Sequence, residues 1–524
     1  MGLIRKSLIL LCVLGLTYTQ TTNQEYELAQ KELEEYIQTA KKKVNEKWRP
    51  LYHVAPPVGW MNDPNGFSYH NGEYHLFYQY YPYKSEWGPM HWGHSSSPDL
   101  VNWKTLPTAL LPEKEQCFSG SAVSEGNTMT LIYTGHEVTD VEPKYKESQY
   151  LAFSEDAVNF RKFEGNPVLS TTDSPDFRDP KVWKYKDNYY AVIGSKTNNQ
   201  GRVLLYKSKD LKTWEFLSVL AESNGNLGYM WECPDFFELD GKFILLMSPQ
   251  GVEPQGDRYK NIFQTGYIIG TFDYNTNKFI EEIPFQEIDF GHDYYAATTT
   301  EAYGKRYIVA WFAMWQTPHP EDVDGWVGTM TLVRELHLVN NKILQIPVED
   351  IVKLRDNIAF EGEIKSNEVR NFGKAVELLI DSDLNQKVDL LLDGLEGGNS
   401  VSLRWDPAVR KVVVDRGSND IRQVEWTPLG THSWRVFLDA SSLELFCGNG
   451  EVVFSSRVYP LGGWRLTNKS PQTIRVKAYN LKRSVPETSS SSWLWSHFAY
   501  GPFPYVLTIT TLIFQILLSP CLSL

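Results

Sequence analysis

The sequence has few cysteines, five among 524 residues. Cys12 lies in an N-terminal apolar segment and Cys521 lies near the C-terminus, which leaves Cys117, Cys233 and Cys447. An odd, widely spaced set of cysteines does not form a disulfide framework and lacks the paired spacing of zinc ligands. The acidic residues do not cluster as in a calcium-binding loop either. We therefore expect no metal site and no cofactor.

Positive charge is also in short supply. The chain has 51 Lys and Arg residues against 64 Asp and Glu residues, a formal net charge of −13 at pH 7. Such a surface would repel nucleic acid but would not affect a neutral small molecule, so we expect no nucleic-acid partner. The content of 42% apolar and 22% charged residues is that of a globular protein, and the length exceeds one ordinary core, which predicts two domains.

Two N-terminal segments precede the main part of the chain. Residues 1–19 have a basic start, an apolar core from Leu8 to Leu16 and a small polar end, which predicts a secretory signal peptide and a secreted protein. Residues 20–48 contain mostly Glu, Lys, Gln, Ala and Leu, with no Pro or Gly, which predicts a helical arm. We expect this arm to pack against the rest of the chain.

Five polar residues recur at steps of 56, 60, 53 and 61 residues: Asp63, Ser119, Asp179, Glu232 and Asp293. Each opens a unit with an apolar stretch, a turn signal and a second apolar run, which is the pattern of a β-hairpin. The turn signals are Asn71-Gly72, Glu125-Gly126-Asn127, Lys186-Asp187-Asn188, Asp240-Gly241 and Tyr303-Gly304-Lys305. A Ser-x-Asp signature ending in an aromatic residue also recurs, from Ser97, Ser154 and Ser208. A period with room for four strands predicts an all-β fold with a five-bladed β-propeller over residues 49–346.

The propeller prediction brings acidic side chains together. The first strand of each blade lies nearest the axis, so the five polar residues would point into one funnel. Three of them are acids, Asp63, Asp179 and Glu232. Crowded carboxyl groups shift one another's pKa values, so one can stay ionised while another keeps its proton near neutral pH, as glycoside hydrolysis requires. For Asp63 alone the alternative is a plain Asx-turn, and for Arg178 with Asp179 it is a surface ion pair.

Four motifs, in this order and at these distances, resemble glycoside hydrolase family 32, the invertases and β-fructofuranosidases. They are Trp60-Met61-Asn62-Asp63-Pro64-Asn65-Gly66, Phe118-Ser119-Gly120-Ser121, Arg178-Asp179-Pro180 and Trp231-Glu232-Cys233-Pro234. The resemblance extends from about Leu51 to about Lys482 and implies a retaining enzyme that hydrolyses sucrose to glucose and fructose. It implies that Asp63 is the nucleophile, that Glu232 is the general acid and base, and that Asp179 stabilises the transition state.

The resemblance also implies a fructose pocket. Its substrate-binding residues would be Trp60, Asn62, Gln79, Trp87, Phe118, Ser119 and Arg178. Amides and hydroxyls suit the hydroxyls of a sugar and Trp faces suit its C–H face, although Trp87 or Phe118 taken alone could equally be packing residues. Trp311 and Trp315 are both candidates for the rim. His91 and His94 are expected to make structural hydrogen bonds.

Two other functions stay open at this point. A fructosyltransferase or a fructan exo-hydrolase would share every catalytic residue and differ in the loops around the site. An inactive sugar-binding propeller is a non-enzymatic alternative, but such a protein would not need all three acids. For the favoured β-fructofuranosidase the expected small-molecule partner is sucrose, and the oligomeric state is left open.

The C-terminal part of the chain predicts support and attachment. Residues 347–361 are expected to be a linker, and short alternating runs over residues 362–485 predict a β-sandwich without convergent acids. Asn468 is part of the only glycosylation sequon, which predicts a glycoprotein. Residues 486–524 combine small residues, an uncharged spacer and an apolar end, the order of a GPI-anchor signal, with a transmembrane anchor as the alternative. Either anchor would hold the protein at the outer face of the plasma membrane.

Overall fold

The computed structural model describes residues 24–383, 385–429 and 432–484. Within them the chain is almost entirely β: helix α1 covers residues 24–41, short 3-10 helices cover Asp322–Asp324 and Glu349–Leu354, and the remaining regular structure is strands. The predicted all-β class is confirmed. The signal peptide predicted at residues 1–19 and the attachment segment predicted at residues 486–524 lie outside the described residues.

Five antiparallel sheets follow one another along residues 59–347, and within each sheet the strands pair mainly in chain order. Sheet 1 contains β1 (Gly59–His70), β2 (Glu73–Tyr81), β3 (His91–Ser97) and β4 (Lys104–Leu110), with β20 (Trp326–Val327) parallel to β1, and sheet 2 contains β5 (Gln116–Glu125), β6 (Thr128–Val138), β7 (Tyr145–Ser154), β8 (Arg161–Lys162) and β9 (Leu169–Ser170). Sheet 3 contains β10 (Phe177–Tyr185), β11 (Asn188–Thr197), β12 (Gln200–Ser208) and β13 (Trp214–Glu222), and sheet 4 contains β14 (Met230–Leu239), β15 (Lys242–Gln250), β16 (Gly266–Asp273) and β17 (Lys278–Glu287). Sheet 5 contains β18 (Tyr295–Ala302), β19 (Lys305–Trp311), β21 (Arg334–Val339) and β22 (Lys342–Pro347).

The first strands of these five sheets form a closed ring. Strand β1 contacts β5, β5 contacts β10, β10 contacts β14, β14 contacts β18, and β18 contacts β1. The predicted hairpin turns join the first and second strands of every sheet. At Asn71, Asp240 and Tyr303 the backbone is left-handed and is followed by a left-handed glycine, which is the geometry of the two-residue turns that match strand twist.

The repeated Ser-x-Asp signature closes the turn between the third and fourth strands of three sheets. The Asp99 carboxylate accepts hydrogen bonds from the backbone N–H groups of Val101 (3.1 Å) and Asn102 (2.8 Å). Asp156 and Asp210 accept the equivalent bonds in their own turns. The signature therefore stabilises a local turn, because its carboxylates accept hydrogen bonds from the backbone N–H groups of that turn.

Two six-stranded sheets follow. Sheet 6 has the order β23 (Arg355–Ile364), β34 (Ile474–Leu481), β25 (Val376–Ser382), β30 (His432–Asp439), β31 (Ser442–Cys447) and β32 (Val452–Arg457), and sheet 7 has the order β24 (Val369–Phe372), β33 (Trp464–Asn468), β26 (Val388–Gly394), β27 (Val401–Asp406), β28 (Lys411–Asp415) and β29 (Ile421–Glu425). One hydrophobic core draws on both sheets, with Leu378 and Val436 from the first and Leu390 from the second. The two sheets therefore pack as layers.

The linker predicted for residues 347–361 differs from the structure. The 3-10 helix Glu349–Leu354 leads directly into β23, so regular structure of sheet 6 begins at Arg355. Strand β23 pairs along its length with β34, which ends at Leu481. Pairing partners more than a hundred residues away leave no local pattern, so the sequence predicts a start of the C-terminal part that is too late.

A buried charge network joins sheets 5 and 6 around Arg334, whose side chain is fully buried. Its Nη1 lies 3.0 Å from Asp289 and its Nη2 lies 2.6 Å from Glu444. Glu444 also contacts His53 (2.9 Å), whose other ring nitrogen lies 2.8 Å from Asp439. Burial alone would lower the pKa of His53, but the hydrogen bonds to Asp439 and Glu444 raise it to about 9. The imidazole therefore serves as a second buried cation.

Helix α1 packs onto sheet 1. Leu33 and Ile37 are buried in the same hydrophobic cluster as Tyr78 and Tyr80 of β2. The side chain of Gln30 donates a 2.8 Å hydrogen bond to the backbone oxygen of Thr108. The helix covers less than the predicted arm of residues 20–48, since it ends at residue 41. No helix among the described residues is both long and apolar enough to cross a membrane.

The side chain of Asn468, the predicted glycosylation site, is completely buried. Its Nδ2 donates 2.9 Å hydrogen bonds to the backbone oxygens of Ile364 and Gln472, and Ser470 of the sequon is buried as well. A glycan cannot be attached to this amide in the folded chain, so the sequon prediction conflicts with the structure. A sequon specifies a three-residue pattern and carries no information on burial.

Candidate active site

A break in register occurs near the start of the first strand in all five sheets. The breaks lie between Met61 and Pro64, Cys117 and Gly120, Arg178 and Lys181, Glu232 and Asp235, and Tyr295 and Thr298. A bulge of this kind re-aims the side chains of the strand that carries it, and such bulges are common beside active sites. Asp63, Ser119 and Asp179 lie inside their breaks, and Glu232 lies at the edge of its own.

Backbone strain accompanies three of these breaks. Asp179, Cys233 and Ala296 adopt left-handed conformations, with φ of 64°, 48° and 54°. A residue other than glycine in this region costs roughly 1 kcal/mol or more and persists only where its surroundings hold it. The inner ends of sheets 3, 4 and 5 therefore store strain at the position where the acidic side chains converge.

Asp63 is held by neutral donors on both carboxylate oxygens. The Ser119 hydroxyl donates to Oδ2 at 2.8 Å, and the Asn62 amide donates to Oδ1 at 3.0 Å. The indole of Trp60 donates in turn to the Asn62 oxygen at 2.8 Å, which fixes that amide. Burial and the nearby charge of Glu232 raise the pKa of Asp63, and the bonds from Asn62 and Ser119 oppose the rise.

Asp179 is buried beside the peptide that follows Glu232. Its Oδ2 accepts a 2.9 Å hydrogen bond from the backbone N–H of Cys233, and its own N–H donates to the Thr134 hydroxyl at 2.9 Å. The Cys233 thiol lies 3.5 Å from Asp63 and 3.6 Å from Asp179, so it bridges the two acids. Burial, followed by the charge of Glu232, raises the pKa of Asp179 to about 8. The cluster of acids therefore retains a proton near neutral pH.

Glu232 is held by a cation and a phenol. Arg178 donates to Oε1 from Nε at 3.1 Å and from Nη2 at 2.9 Å, and the Tyr295 hydroxyl donates to Oε2 at 2.5 Å. The Glu232 side chain is 16% exposed and that of Arg178 is 13% exposed. A surface ion pair between Arg178 and Asp179 is therefore the wrong interpretation, because the guanidinium is largely buried and bonds to Glu232.

Gln79 and Phe118 lie at the segment of β5 that carries Ser119. Gln79 is buried and donates a 2.7 Å hydrogen bond to the backbone oxygen of Cys117, so its amide braces the start of β5. The ring of Phe118 stacks on the imidazole of His136, with centroids 4.3 Å apart and planes at 10°. Trp87 meets Phe118 edge-on at 6.1 Å and is 45% exposed. Trp87 is the most exposed of the three side chains, and their role in binding a sugar stays a prediction.

The two tryptophan candidates for the rim have different positions. Trp315 is partly buried and stacks on Trp60, with centroids 6.0 Å apart and planes at 28°. Trp311 is fully buried beneath them. Only Trp315 is partly exposed, so it stays the candidate for the rim and Trp311 does not. The histidines are structural as expected, since His94 is buried against His75 at 3.0 Å.

Asp293, predicted to point into the funnel, lies elsewhere. Its Oδ2 accepts 2.7 Å hydrogen bonds from the Arg416 side chain and from the backbone N–H of Arg457, both in the C-terminal part. Strand β18 begins two residues later, so Tyr295 takes the place in the site that the spacing assigned to Asp293. The spacing alone selects Asp293 and gives no sign of Tyr295. The bulge common to the other first strands is the signal that identifies it.

The chemistry of the site follows from these contacts. One carboxylate, Asp63, is oriented by neutral donors, and another, Glu232, is oriented by Arg178 and Tyr295, which leaves the two in different environments. Such a pair can divide nucleophilic and acid–base work. The described residues contain no group of three or more His, Cys, Asp or Glu side chains suited to hold a metal ion.

Sequence models of one family match most of the chain. The N-terminal domain of glycosyl hydrolases family 32 matches residues 53–347, and the C-terminal domain of the same family matches residues 352–485. The two matched regions meet near the 3-10 helix that leads into β23.

Relatives of known name agree with the family match. A sucrose-6-phosphate hydrolase from Zymomonas mobilis subsp. mobilis is 40% identical over 464 residues, covering 80% of this chain and 88% of the relative. A raffinose invertase from Escherichia coli is 37% identical over 436 residues, covering 79% and 90%. A structure of a GH32 β-fructofuranosidase from Bombyx mori is 59% identical in sequence, has a TM-score of 0.87 and covers 88% of this chain and 100% of that one. The structure of its aspartate-to-alanine mutant in complex with sucrose is 58% identical and has a TM-score of 0.86. The chain belongs to glycosyl hydrolase family 32.

Proposed function

We propose that this protein is a retaining β-fructofuranosidase that hydrolyses sucrose to glucose and fructose. The observation that carries the proposal is the unequal support of two carboxylates: neutral donors hold Asp63, whereas Arg178 and Tyr295 hold Glu232. A nucleophile and an acid–base residue need such different surroundings. Relatives named β-fructofuranosidase and raffinose invertase, and the sucrose complex of a relative, support the choice of substrate.

The reaction would proceed in two steps. Asp63 attacks the fructosyl C2, the bond from C2 to the glucosyl oxygen breaks, and Glu232 gives its proton to the departing oxygen. Water then attacks C2 of the fructosyl-enzyme, the bond from C2 to the Asp63 oxygen breaks, and the proton of the water passes to Glu232, so the Asp63 carboxylate and the Glu232 acid are both restored. C2 is fully substituted, so positive charge develops on the ring in each step. Asp179 would bind the fructose hydroxyls more tightly as that charge grows.

The ring of first strands supports the architecture that the sequence predicts. We infer that the five consecutive sheets are the blades of a propeller, with the bulged ends of β1, β5, β10, β14 and β18 around one funnel. Sheets 6 and 7 would form the sandwich, joined to the propeller through the buried Arg334 network. Such an arrangement would bring the acids from three different blades into one space.

The charges around the site favour an uncharged sugar. The acidic side chains in the connected cluster are Asp63, Glu147, Asp176, Asp179 and Glu232, and its cations are Arg178 and Lys196. Both cations are already paired with these acids, so a phosphate dianion would enter an excess of negative charge. Several bacterial relatives carry the name sucrose-6-phosphate hydrolase, so the choice of substrate distinguishes this chain from them. We expect kcat/KM for sucrose to exceed that for sucrose 6-phosphate, and the reverse order would refute the charge argument.

A secreted, membrane-attached location is also a proposal, and it rests on the sequence alone. The signal peptide at residues 1–19 would direct the chain out of the cell, and residues 486–524 would attach it to the outer membrane face. A truncated chain that ends at Ser492 should be released into the medium as active enzyme. Equal release of the full-length chain, without processing, would argue against attachment.

The assay that tests the function separates glucose from fructose after incubation with sucrose. Equal amounts indicate hydrolysis, an excess of glucose indicates fructosyl transfer, and neither product indicates a binding protein. Asp63→Asn should abolish turnover, because an amide cannot form the acylal bond to C2. Asp210→Asn, which removes a carboxylate from an external turn, is the matched control and should keep normal activity. Activity of Asp63→Asn close to that of the control would remove Asp63 from the mechanism.

A further inference from the structure

Glu147, in β7 of sheet 2, contacts the general acid only through another residue. Its side chain is 2% exposed and lies between two groups, Arg178 and His136. We propose that Glu147 is a positioning residue that fixes the guanidinium of Arg178, and through it the carboxyl group of Glu232. It also fixes their position relative to the stacked rings of Phe118 and His136, which we call the aromatic wall. The inference rests on the proposed role of Glu232 as the acid and base.

The Arg178 guanidinium is anchored at both of its ends. Nε and Nη2 face Oε1 of Glu232. Nη1 points the other way, 3.2 Å from Oε2 of Glu147 and 3.1 Å from Oδ1 of Asp176. Because the guanidinium is a rigid plane, groups that fix Nη1 also fix the direction of the two nitrogens that hold Glu232.

Glu147 also holds the backbone that carries Arg178. Its Oε2 accepts a 2.8 Å hydrogen bond from the N–H of Phe177, the residue before Arg178. The same carboxylate oxygen therefore sets the position of both the main chain and the tip of the arginine. Asp176 makes the second contact to Nη1 but is itself shared with Tyr145 (2.9 Å) and Lys196 (3.2 Å).

The second oxygen of Glu147 reaches the aromatic wall. Oε1 lies 3.2 Å from Nδ1 of His136, and that imidazole is stacked between Phe118 (4.3 Å) and Tyr145 (5.0 Å). One buried carboxylate thus connects the ring beside the sugar pocket to the arginine that orients the acid. A shift of Glu147 would move both, and misplacement by about 1 Å of a catalytic group costs on the order of a hundredfold in rate.

The test compares Glu147→Gln with wild type on two substrates, sucrose and 4-nitrophenyl β-D-fructofuranoside. Glu137→Gln is the matched control, because Glu137 lies in the same hairpin and bonds to Tyr150 and Lys146 rather than to Arg178. For Glu147→Gln we expect kcat on sucrose to fall about 10- to 100-fold with KM within about threefold. The fructosylation burst with the nitrophenyl substrate should stay within about threefold of wild type, because this leaving group needs little protonation.

The split between the substrates separates positioning from general damage. Equal losses on both substrates, or a sucrose kcat within about threefold of the control, would overturn the proposal. If Glu147→Gln does not fold, Glu147→Asp keeps the charge and withdraws it by one methylene, and the same split with a smaller loss is expected. Glu232→Gln is measured in parallel to separate the role of Glu147 from the proposed mechanism. Full activity of Glu232→Gln would refute the mechanism. Loss of activity in Glu232→Gln together with normal activity in Glu147→Gln would refute only the role of Glu147.

Discussion

Replacing Asp179 by Asn should stabilise the protein while destroying its activity. Asp179 is buried among acids, and its pKa is raised from 3.8 to about 8 by burial and by the charge of Glu232. Asn has nearly the same shape, tolerates the left-handed backbone found at this position (φ 64°), and retains an oxygen that can accept from the Cys233 N–H. The exchange therefore removes the cost of the acid with little other disturbance.

The size of the effect follows from the raised pKa. The folded-state pKa lies above the ordinary value, so the penalty is absent below about pH 4, grows by about 1.4 kcal/mol for each pH unit, and levels off above about pH 8. At pH 6 the penalty amounts to about 3 kcal/mol on this scale. A folded region the size of residues 24–484 gains about 1 kcal/mol/K of entropy on unfolding, so Asp179→Asn should raise Tm by about 3 °C at pH 6.

The assay is thermal unfolding of wild type and Asp179→Asn at pH 4, 6 and 8, with sucrose turnover measured on the same samples. The Tm difference should be close to zero at pH 4 and should increase with pH, while turnover is lost throughout. Asp210→Asn is the control of opposite sign, because hydrogen bonds from the backbone of Thr213 and Lys212 lower the pKa of Asp210. A Tm for Asp179→Asn that is equal to or below that of wild type at pH 8 would refute the reasoning.

Three further results are expected. Arg334→Met leaves Asp289 and Glu444 buried without their shared cation, so Tm should fall by about 3–5 °C while kcat stays normal. Adding Asp289→Asn should recover most of the lost stability, since Glu444 keeps its contact with His53. No recovery would mean that lost packing rather than unpaired charge lowers Tm. Tyr295→Phe removes the 2.5 Å bond to the acid and should lower kcat on sucrose about 10- to 100-fold, and unchanged kcat would exclude Tyr295 from a role. The mass of the mature enzyme should not change on treatment with an N-glycosidase, because Asn468 is buried, and a mass loss of glycan size would contradict this.

Much of the fold was predictable because its signals are local. The turns at Asn71-Gly72 and Asp240-Gly241 have two residues of a type that favours left-handed backbone, and the structure has hairpins there. The apolar runs near Val388 and Lys411 are strands as predicted, and buried and partly exposed side chains alternate along each of them. The first part of strand β23 is predicted as a linker because the strand depends on pairing with β34, far along the chain.

The site was predictable where motif and spacing coincide, and less so where register decides. Asp63, Asp179 and Glu232 lie together as the repeat implies, linked through Cys233 and Arg178. The repeat cannot show that bulges shift the first strands, so it assigns Asp293 to a place beside the acids that Tyr295 takes instead. Glu147 had no motif at all. Its role depends on contacts to Arg178 and His136 that only the folded chain brings together.

The configuration of a rescued product tests the proposed mechanism most stringently. Glu232→Gln should form its fructosyl-enzyme from 4-nitrophenyl β-D-fructofuranoside at nearly the normal rate and then stall, because no base activates water. Azide needs no base, so it should relieve the stall and give a fructosyl azide with retained β configuration, whereas Asp63→Asn should show neither burst nor rescue. An azide product of inverted configuration, or a burst in Asp63→Asn, would contradict the assignment of Asp63 as nucleophile and Glu232 as acid and base.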